Sequence, residues 1–529
     1  MIREITASLE RQIHSAATAP RRALESIMWD ACVVGSGPGG AVTAATLAQA
    51  GWRVLLIERG AYRRPEDANF QLFDMAMRLS RLSLTRGART TLHAGSTLGG
   101  GSLIFGAMAM QPSQTVFDEW AARSGVPGLN RDVLSPHYSA VGETLSVTQQ
   151  SARAENRANA IVREMAAVLG HQAGLELAMR YTAGCRGTGL CTLGCGFNLK
   201  GTMVNSFLPI GLGTGNLTIL TECEATAFDV ESSRTGQQAR ALHVTMTDGT
   251  NRARSSGLRV RAKHFITSTG SLSSSALLIR SRVRGRLTQG GRVSLQPHGV
   301  IHALFDEPVT DRGDIEDGRY VPRNGVPAIY NFTGLLDERR YYWFASSLHP
   351  SSLATYTAYL SPQAHRSLMS RFHYTSSITV TLRDDPDRSR VVMRRGTPQL
   401  DFCESERDRA SLRRCFADAA RALLAVGARR VFLPMLEPPR IQRECDVALL
   451  EREPMSYDRL ILYSDHTSGG NCIGADRRRG VTDAYGRVHG ITNIHVADAS
   501  LFPSACGVAP SWTIMALARM IALNLAQRG

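Results

Sequence analysis

The chain has 529 residues, 43% hydrophobic and 20% charged, too long for one ordinary core and too apolar for a disordered chain, so two packed domains are expected. Its formal charge of +15 comes from 61 Lys and Arg against 46 Asp and Glu, but the basic residues are scattered without an aromatic-interleaved stripe, which argues against nucleic-acid binding. No apolar run of about 18 residues occurs, which argues against a membrane-spanning helix, and the ten cysteines stand at irregular spacing and read as reduced thiols.

Residues 1–27 carry Glu and Arg where a secretory signal needs an apolar centre, and the Arg21-Arg22 pair leads into a strand-forming stretch instead of an export segment. A cytoplasmic location is expected. From Trp29 to Gly60 the chain reads WDACVVGSGPGGAVTAATLAQAGWRVLLIERG. This predicts a buried strand over Ala31 to Val34, the glycines Gly35, Gly37 and Gly40 in G-x-G-x-x-G spacing, an Ala-rich helix, and a second strand, Val54 to Ile57, ending in Glu58. Gly35 permits a tight turn, Gly37 lets backbone approach a pyrophosphate, and Gly40 lets helix and strand pack closely. The helix N-terminus supplies free N–H groups for phosphate, and Glu58 can accept hydrogen bonds from ribose hydroxyls. The motif fits an adenosine diphosphate and does not separate FAD from NAD.

Gly95 to Met110, GSTLGGGSLIFGAMAM, places Gly99, Gly100 and Gly101 in a row between apolar residues. A mobile linker would be polar; this loop suits a flat ring or a second approach to pyrophosphate. Cys185, Cys191 and Cys195 follow in C-x5-C-x3-C spacing among glycines. They lack the C-x2-C knuckle and fourth ligand of zinc or iron-sulfur sites, so no metal is expected, and Lys200 lies just beyond them. Asn216 to Val230, NLTILTECEATAFDV, alternates like one strand and would bring Ala225 beside an adenine. Lys263 to Ser281 predicts a strand, a turn at Thr269-Gly270 and a helix. Ser376 to Phe402 holds two β-patterned runs around a polar turn. Near the end, SDHTSGGNCIG (Ser464 to Gly474) packs His466, Gly469, Gly470 and Cys472 together; Cys472 reads as packing. From Gly486 to Gln527 a strand ending in Asp498, a loop and a long apolar helix are expected, with Asp498 at a strand's carboxyl end, where ligands of open α/β sheets bind.

In this order, these stretches resemble the glucose-methanol-choline oxidoreductases, FAD-dependent alcohol oxidases and dehydrogenases; LGGGSLIFGAMAMQP is most similar to the cholesterol oxidase and bacterial alcohol dehydrogenase branches. The resemblance implies a mixed α/β (α+β) chain with a discontinuous Rossmann-type FAD-binding domain and a substrate domain built on an antiparallel sheet with helices. The FAD domain would comprise residues 28–110, 182–290 and 455–529, the substrate domain 111–181 and 291–454, with 1–27 as an N-terminal extension; Leu295 to Thr375 would roof the pocket. It further implies that Pro38, Gly39, Arg59, Leu98, Ser102, Phe105, Gly106, Ala107 and Met108 join the glycines, Glu58, Ala225, Thr269 and Gly270 around FAD, with Asp498, Ala499, Pro510 and Ser511 from the last segment.

By the same resemblance His466 lies at the flavin's reactive edge and acts as base, because a hydride leaves a carbinol carbon easily only as the hydroxyl proton departs, and imidazole titrates near neutrality. A histidine between Asp465 and Thr467 also reads as a satisfied structural residue. The pattern is broken 43 residues later: relatives usually carry Asn or His before the proline of GVAPSW, and here Ala509 stands there. Losing one hydrogen bond to the transition state costs about 1–3 kcal/mol. Either Ser511, Ser468 or a residue of the middle segment replaces it, or the substrate is an amine, an N-hydroxy compound or an activated C–H, or the protein binds flavin without turnover or works only under light. A small-molecule substrate is expected, with oxygen, a quinone or a protein as electron acceptor. The aromatic run Tyr341, Tyr342, Trp343 and Phe344 is a candidate pocket lining or plain core.

Overall fold

The computed structural model describes residues 10–64, 80–84, 90–182, 184–233, 236–247, 253–283, 291–310, 314–316, 319–321, 325–346 and 349–528. Its first sheet is built from β1 (Ile13–His14), β2 (Met28–Val34), β3 (Val54–Ile57), β4 (Leu217–Leu220), β5 (Cys223–Ser233), β6 (Gly236–Thr247) and β7 (Ala253–Thr267), in the spatial order β1-β4-β3-β2-β7-β6-β5. Strands β1, β4, β3, β2 and β7 run parallel, as does Ile494–Val496, which pairs with the end of β7; β6 and β5 continue as an antiparallel meander. Ala31 to Val34 and Val54 to Ile57 are buried throughout, as a parallel sheet covered on both faces requires. Helix α1 (Pro38–Gln49) joins β2 to β3, and α2 (Ser271–Arg280) follows β7.

Asn216 to Val230 forms two strands instead of the single one expected. The chain breaks at Glu222, whose φ is +58° and whose carbonyl accepts from Thr247 N at 2.7 Å. A tertiary contact from β6 thus holds a left-handed residue that alternation alone does not reveal. The expected N-terminal extension also contributes β1, the edge strand beside β4.

The second sheet is centred on β8 (His298–Leu304), β9 (Tyr341–Ala345) and β10 (Thr375–Leu382), all antiparallel, with Thr91–Gly95 and Tyr463–Ser464 on one flank. Of the two β runs expected in Ser376 to Phe402, only the first joins this sheet. The second folds back on itself as a separate hairpin, Arg390–Arg394 with Thr397–Asp401. Alternation along β9 settles the aromatic run: Tyr341 and Trp343 enter the core of this sheet and its helices, while Tyr342 packs with the core of the first sheet. The long helix at the end, α3 (Ser511–Arg528), lies against α1. No helix among the described residues is long and apolar enough to cross a membrane.

Two imidazoles sealed in these sheets make an acid-lability prediction. Burial pushes His302 on β8 and His495 down to about 3, so both stay neutral in the fold, whereas in the unfolded chain they protonate below about 6.5. The unfolded state therefore binds more protons between these values, and stability falls as pH drops through that window, by about 1.4 kcal/mol per pH unit for each imidazole. Thermal melts of His302→Gln between pH 7 and 4 will show a shallower acid limb than the parent; an identical slope would contradict the assignment.

Candidate active site

The first turn is packed so that glycine is required. Gly35 has φ +94°, and a Cβ on Gly40 would stand 1.8 Å from the Gly35 carbonyl oxygen. The second glycine loop, a 3-10 turn over Gly100–Leu103, touches this turn: a Cβ on Gly100 would lie 2.7 Å from Gly37 Cα. Next to that contact the structure opens. A Cβ on Gly37 or Gly101 meets nothing within 4 Å, and the N-terminus of α1, capped by Gly37, has no side-chain cap and no acidic residue in its first turn. A helix N-terminus left uncapped beside open space between two glycine loops fits the pyrophosphate of a dinucleotide.

Glu58, at the end of β3 and 7% exposed, accepts from Ser36 N (3.0 Å) and Ser36 Oγ (2.6 Å) through one oxygen and from Gly60 N (2.8 Å) through the other. Burial raises its pKa against the pull of these bonds. Ser36 Oγ accepts in turn from Gly99 N at 2.9 Å, so Glu58 ties both glycine loops together. Ser102 Oγ donates to Gly99 O (2.7 Å) and closes the second loop, while Leu98 is fully buried behind it. Arg59 is partly buried, 3.8 Å from Glu224 and donating to Ser96 Oγ. Cys223 N donates to Glu58 O (2.9 Å), which starts β5, and with it Ala225, beside this end of the sheet.

Asp498 closes the other side. One carboxylate oxygen accepts from Gly270 N (2.9 Å) and Ser274 Oγ (2.5 Å), the other from Ser500 N (2.9 Å), across Ala499. These bonds cap α2 and bind the last segment to the Thr269-Gly270 turn. Ser271 Oγ on that helix donates to Thr467 O (2.9 Å), and a Cβ on Gly470 would stand 2.3 Å from Ser275 Oγ. The His466 turn is thereby fixed at the same end of the sheet as the glycine cleft.

His466 belongs to a polar cluster that runs from the buried His298 to the exposed Asp465. Its Nδ1 lies 2.8 Å from Gln296 Nε2 and its Nε2 3.6 Å from Asp465 Oδ1. That carboxylate pairs with His298 Nε2 at 2.8 Å, and His298 Nδ1 with Thr381 Oγ1 at 2.7 Å. The two imidazoles meet edge to face, 4.5 Å between centroids. Burial, with help from His298 and against Asp465, pushes His466 down to about 4. Burial would raise Asp465, but the imidazoles of His466, His298 and His93 outweigh it and hold the carboxyl well below its usual range. Gln296 also reaches the Ala509 loop: its Nε2 donates to Val508 O (2.9 Å) and its Oε1 accepts from Gly507 N (2.9 Å). Ala509 is buried and apolar, next to this anchor and before Pro510.

Ser511 is not a free substitute for the missing partner, since its hydroxyl is 3.0 Å from Tyr181 OH. Tyr181 in turn stacks on Phe105, 5.2 Å away and nearly parallel. The loop carrying Phe105, Gly106, Ala107 and Met108 is held by two buried cations, Lys200 and Arg180. Lys200 Nζ donates to Leu103 O, Phe105 O and Cys191 O, at 2.8, 3.2 and 2.6 Å, and burial pulls it down to about 8. Arg180 donates to Gly106 O and to Cys191 Sγ. Cys191 thus shares both cations with this loop, through its carbonyl and its thiol. Lys200→Met should lower stability by about 3 kcal/mol or more, since it strands three buried carbonyls; a chemical-denaturation midpoint equal to the parent's would refute that. Cys472 is buried against Phe502 O.

Sequence reasoning missed Gln296, His298 and Thr381. Gln296 stands 170 positions from His466, and nothing local marks it beyond its place at the start of the segment expected to roof the pocket.

Residues 30–302 and 375–518 match the N- and C-terminal domains of GMC oxidoreductase, respectively. The chain is 27% identical to the long-chain-alcohol oxidase FAO3 of Arabidopsis thaliana over 95% of its own length and 68% of that protein's. It is 27% identical to an uncharacterized GMC-type oxidoreductase of Sinorhizobium fredii, covering 93% of this chain and 94% of the relative. Among solved structures, pyridoxine 4-oxidase from Mesorbium loti superposes with a TM-score of 0.66 at 19% identity, over 94% of this chain and 99% of the other.

Proposed function

Because the chain belongs to the GMC oxidoreductase family, we propose that it is a FAD-dependent enzyme that oxidises the CH–OH group of a small-molecule alcohol to a carbonyl. The observation that carries this reading is the set of hydrogen bonds tying the last segment and the His466 turn to the Thr269-Gly270 turn, which packs against Gly35: Asp498 accepts from Gly270 and Ser274, and Ser271 donates to Thr467. It supports a place for His466 near the cleft that would take the cofactor. We take residues 28–110, 182–290 and 455–529 as the cofactor part and 111–181 with 291–454 as the substrate part.

In this reading the N–H groups at the start of α1, beside Gly37, Gly39 and Gly40, hold the pyrophosphate, and Glu58 turns remaining lone pairs toward ribose. Phe105, Gly106, Gly101 and Pro510 border the ring, with Phe105 kept in place by Tyr181. Bound there, FAD supplies the two-electron acceptor that takes a hydride from the carbinol carbon. The chain's own part is to place the alcohol: His466 meets its oxygen, and Gln296, arriving from the middle segment, anchors both that ring and the Ala509 loop. An amine would lack the oxygen this arrangement addresses, which ranks alcohols first.

The test is to load the protein with FAD and mix it, in the dark and without oxygen, with primary alcohols of increasing chain length and with matched amines. Loss of the oxidised-flavin band with an alcohol supports the proposal. A band that persists with every alcohol but falls with an amine, or only under blue light, overturns it.

A further inference from the structure

Gln296 is fully buried and holds φ at +48°, a region that a non-glycine residue enters only when its surroundings impose it. Asp384 imposes it, accepting from Leu295 N and Gln296 N at 2.8 Å each. Its side-chain amide is equally determined. Gly507 N can only donate and Val508 O can only accept, so Oε1 must face the first and Nε2 the second. A flip of the amide would break both bonds. The remaining N–H on Nε2 points at His466 Nδ1, 2.8 Å away, and an amide nitrogen has no lone pair to offer. Nδ1 must therefore accept, which puts the proton of the neutral ring on Nε2. The other edge of the ring agrees with this: Nε2 stands 3.6 Å from the carboxylate of Asp465, beyond hydrogen-bond distance, so its N–H is left for the substrate oxygen.

We infer that Gln296 is a positioning residue that locks His466 as its Nε2–H tautomer, so that this histidine meets the substrate oxygen as a hydrogen-bond donor and not as the base expected from its motif. The inference rests on the flavin-dependent reading for its meaning, while its test does not need turnover. To become a cation His466 must take a proton at Nδ1, where the Gln296 amide stands. The groups facing the ring and its carboxylate from other elements are His298 on β8, His93 on the flanking strand, and the buried phenols of Tyr342, Tyr356 and Tyr463. None of them places an acceptor against Nδ1, and Asp465 lies on the Nε2 side of the ring. The hydroxyl proton passes to the carboxylate of Asp465, 3.6 Å from Nε2 and exposed enough to hand it on to water, and a donor at Nε2 strengthens as negative charge gathers on the oxygen during that loss, the feature an oxyanion-binding N–H exploits. It also gives Ala509 a rationale: the role of a neutral donor has moved to His466, and Gln296 keeps it neutral.

The measurement is long-range 1H–15N correlation on protein labelled at histidine nitrogen, with the His466 ring assigned by its loss in His466→Gln. The parent is expected to show a protonated Nε2 and a bare Nδ1, unchanged between about pH 8 and 5.5. In Gln296→Glu the carboxylate can only accept, so the proton should shift to Nδ1 and the titration should move up into that window. A parent ring protonated at Nδ1, or one that titrates within the window, overturns the inference without recourse to the variant. Spectra are recorded with and without FAD: refusal to take up FAD counts against the oxidoreductase reading, whereas an Nδ1–H ring counts against the role of Gln296.

Discussion

A Gly37→Val variant will fold with the stability of the parent and yet purify without bound flavin. The two halves of this result separate the cofactor from the fold. A Cβ at Gly37 touches no protein atom within 4 Å, and Gly37 sits at φ −63°, ψ −174°, extended backbone open to any residue. Neither overpacking nor strain therefore arises, and the change in stability should stay within about 0.5 kcal/mol, as for an exposed site. The added branches instead enter the space before the N-terminus of α1, where we place the pyrophosphate. Displacing that group from the helix N–H donors should weaken FAD binding by at least about a hundredfold, roughly 3 kcal/mol. Gly40→Val makes the contrast, since its Cβ would collide with Gly35 O at 1.8 Å and should damage folding itself. Fluorescence titration with FAD and thermal melts measure both. A Gly37→Val protein that binds FAD like the parent would remove the cleft from the account.

His466→Ala should have the opposite profile, with flavin retained and turnover lost. The ring's contacts are Gln296, Asp465 and His298, none of which belongs to the glycine cleft, so cofactor affinity should hardly change. What disappears is the donor at the substrate oxygen. Removal of one such preorganised donor costs about 10^2 to 10^3 in kcat, or 2.7–4 kcal/mol, and because the bond strengthens as charge develops, kcat should fall more than KM rises. Anaerobic stopped-flow reduction by an alcohol reads the step directly. Parent-like reduction in the variant would exclude His466 from the chemistry.

The parts of this site that could be read in the sequence are those whose physics is local. Strand, Gly35 turn, helix and Glu58 are fixed by spacing within one βαβ unit, and Gly270 before a helix and Asp498 after a strand are equally short-range. Their partners were less legible: that Glu58 would reach Ser36 follows from the turn, but that Ser36 would then hold Gly99 does not. Gln296 gave no local sign at all, because its side chain bonds residues 170 and more positions away. Its meaning depends on the direction of one amide, which only the fold determines. Likewise the hydropathy of Ser376 to Phe402 identifies strands but not that Arg390 to Asp401 leaves the main sheet. Lys200 was legible as a lone lysine near the cysteines. Only its three carbonyl acceptors make it a clamp on the loop that bears Phe105.

The account stands on the isoalloxazine lying against the face of the site that His466 presents. The most direct measurement is a crystal structure of the FAD-loaded protein. It should show the pyrophosphate at Gly37 and the α1 N-terminus, and His466 Nε2 within about 4 Å of the reactive edge of the ring, close enough to share one substrate oxygen. FAD bound elsewhere, or a ring whose reactive edge is far from His466, would contradict it.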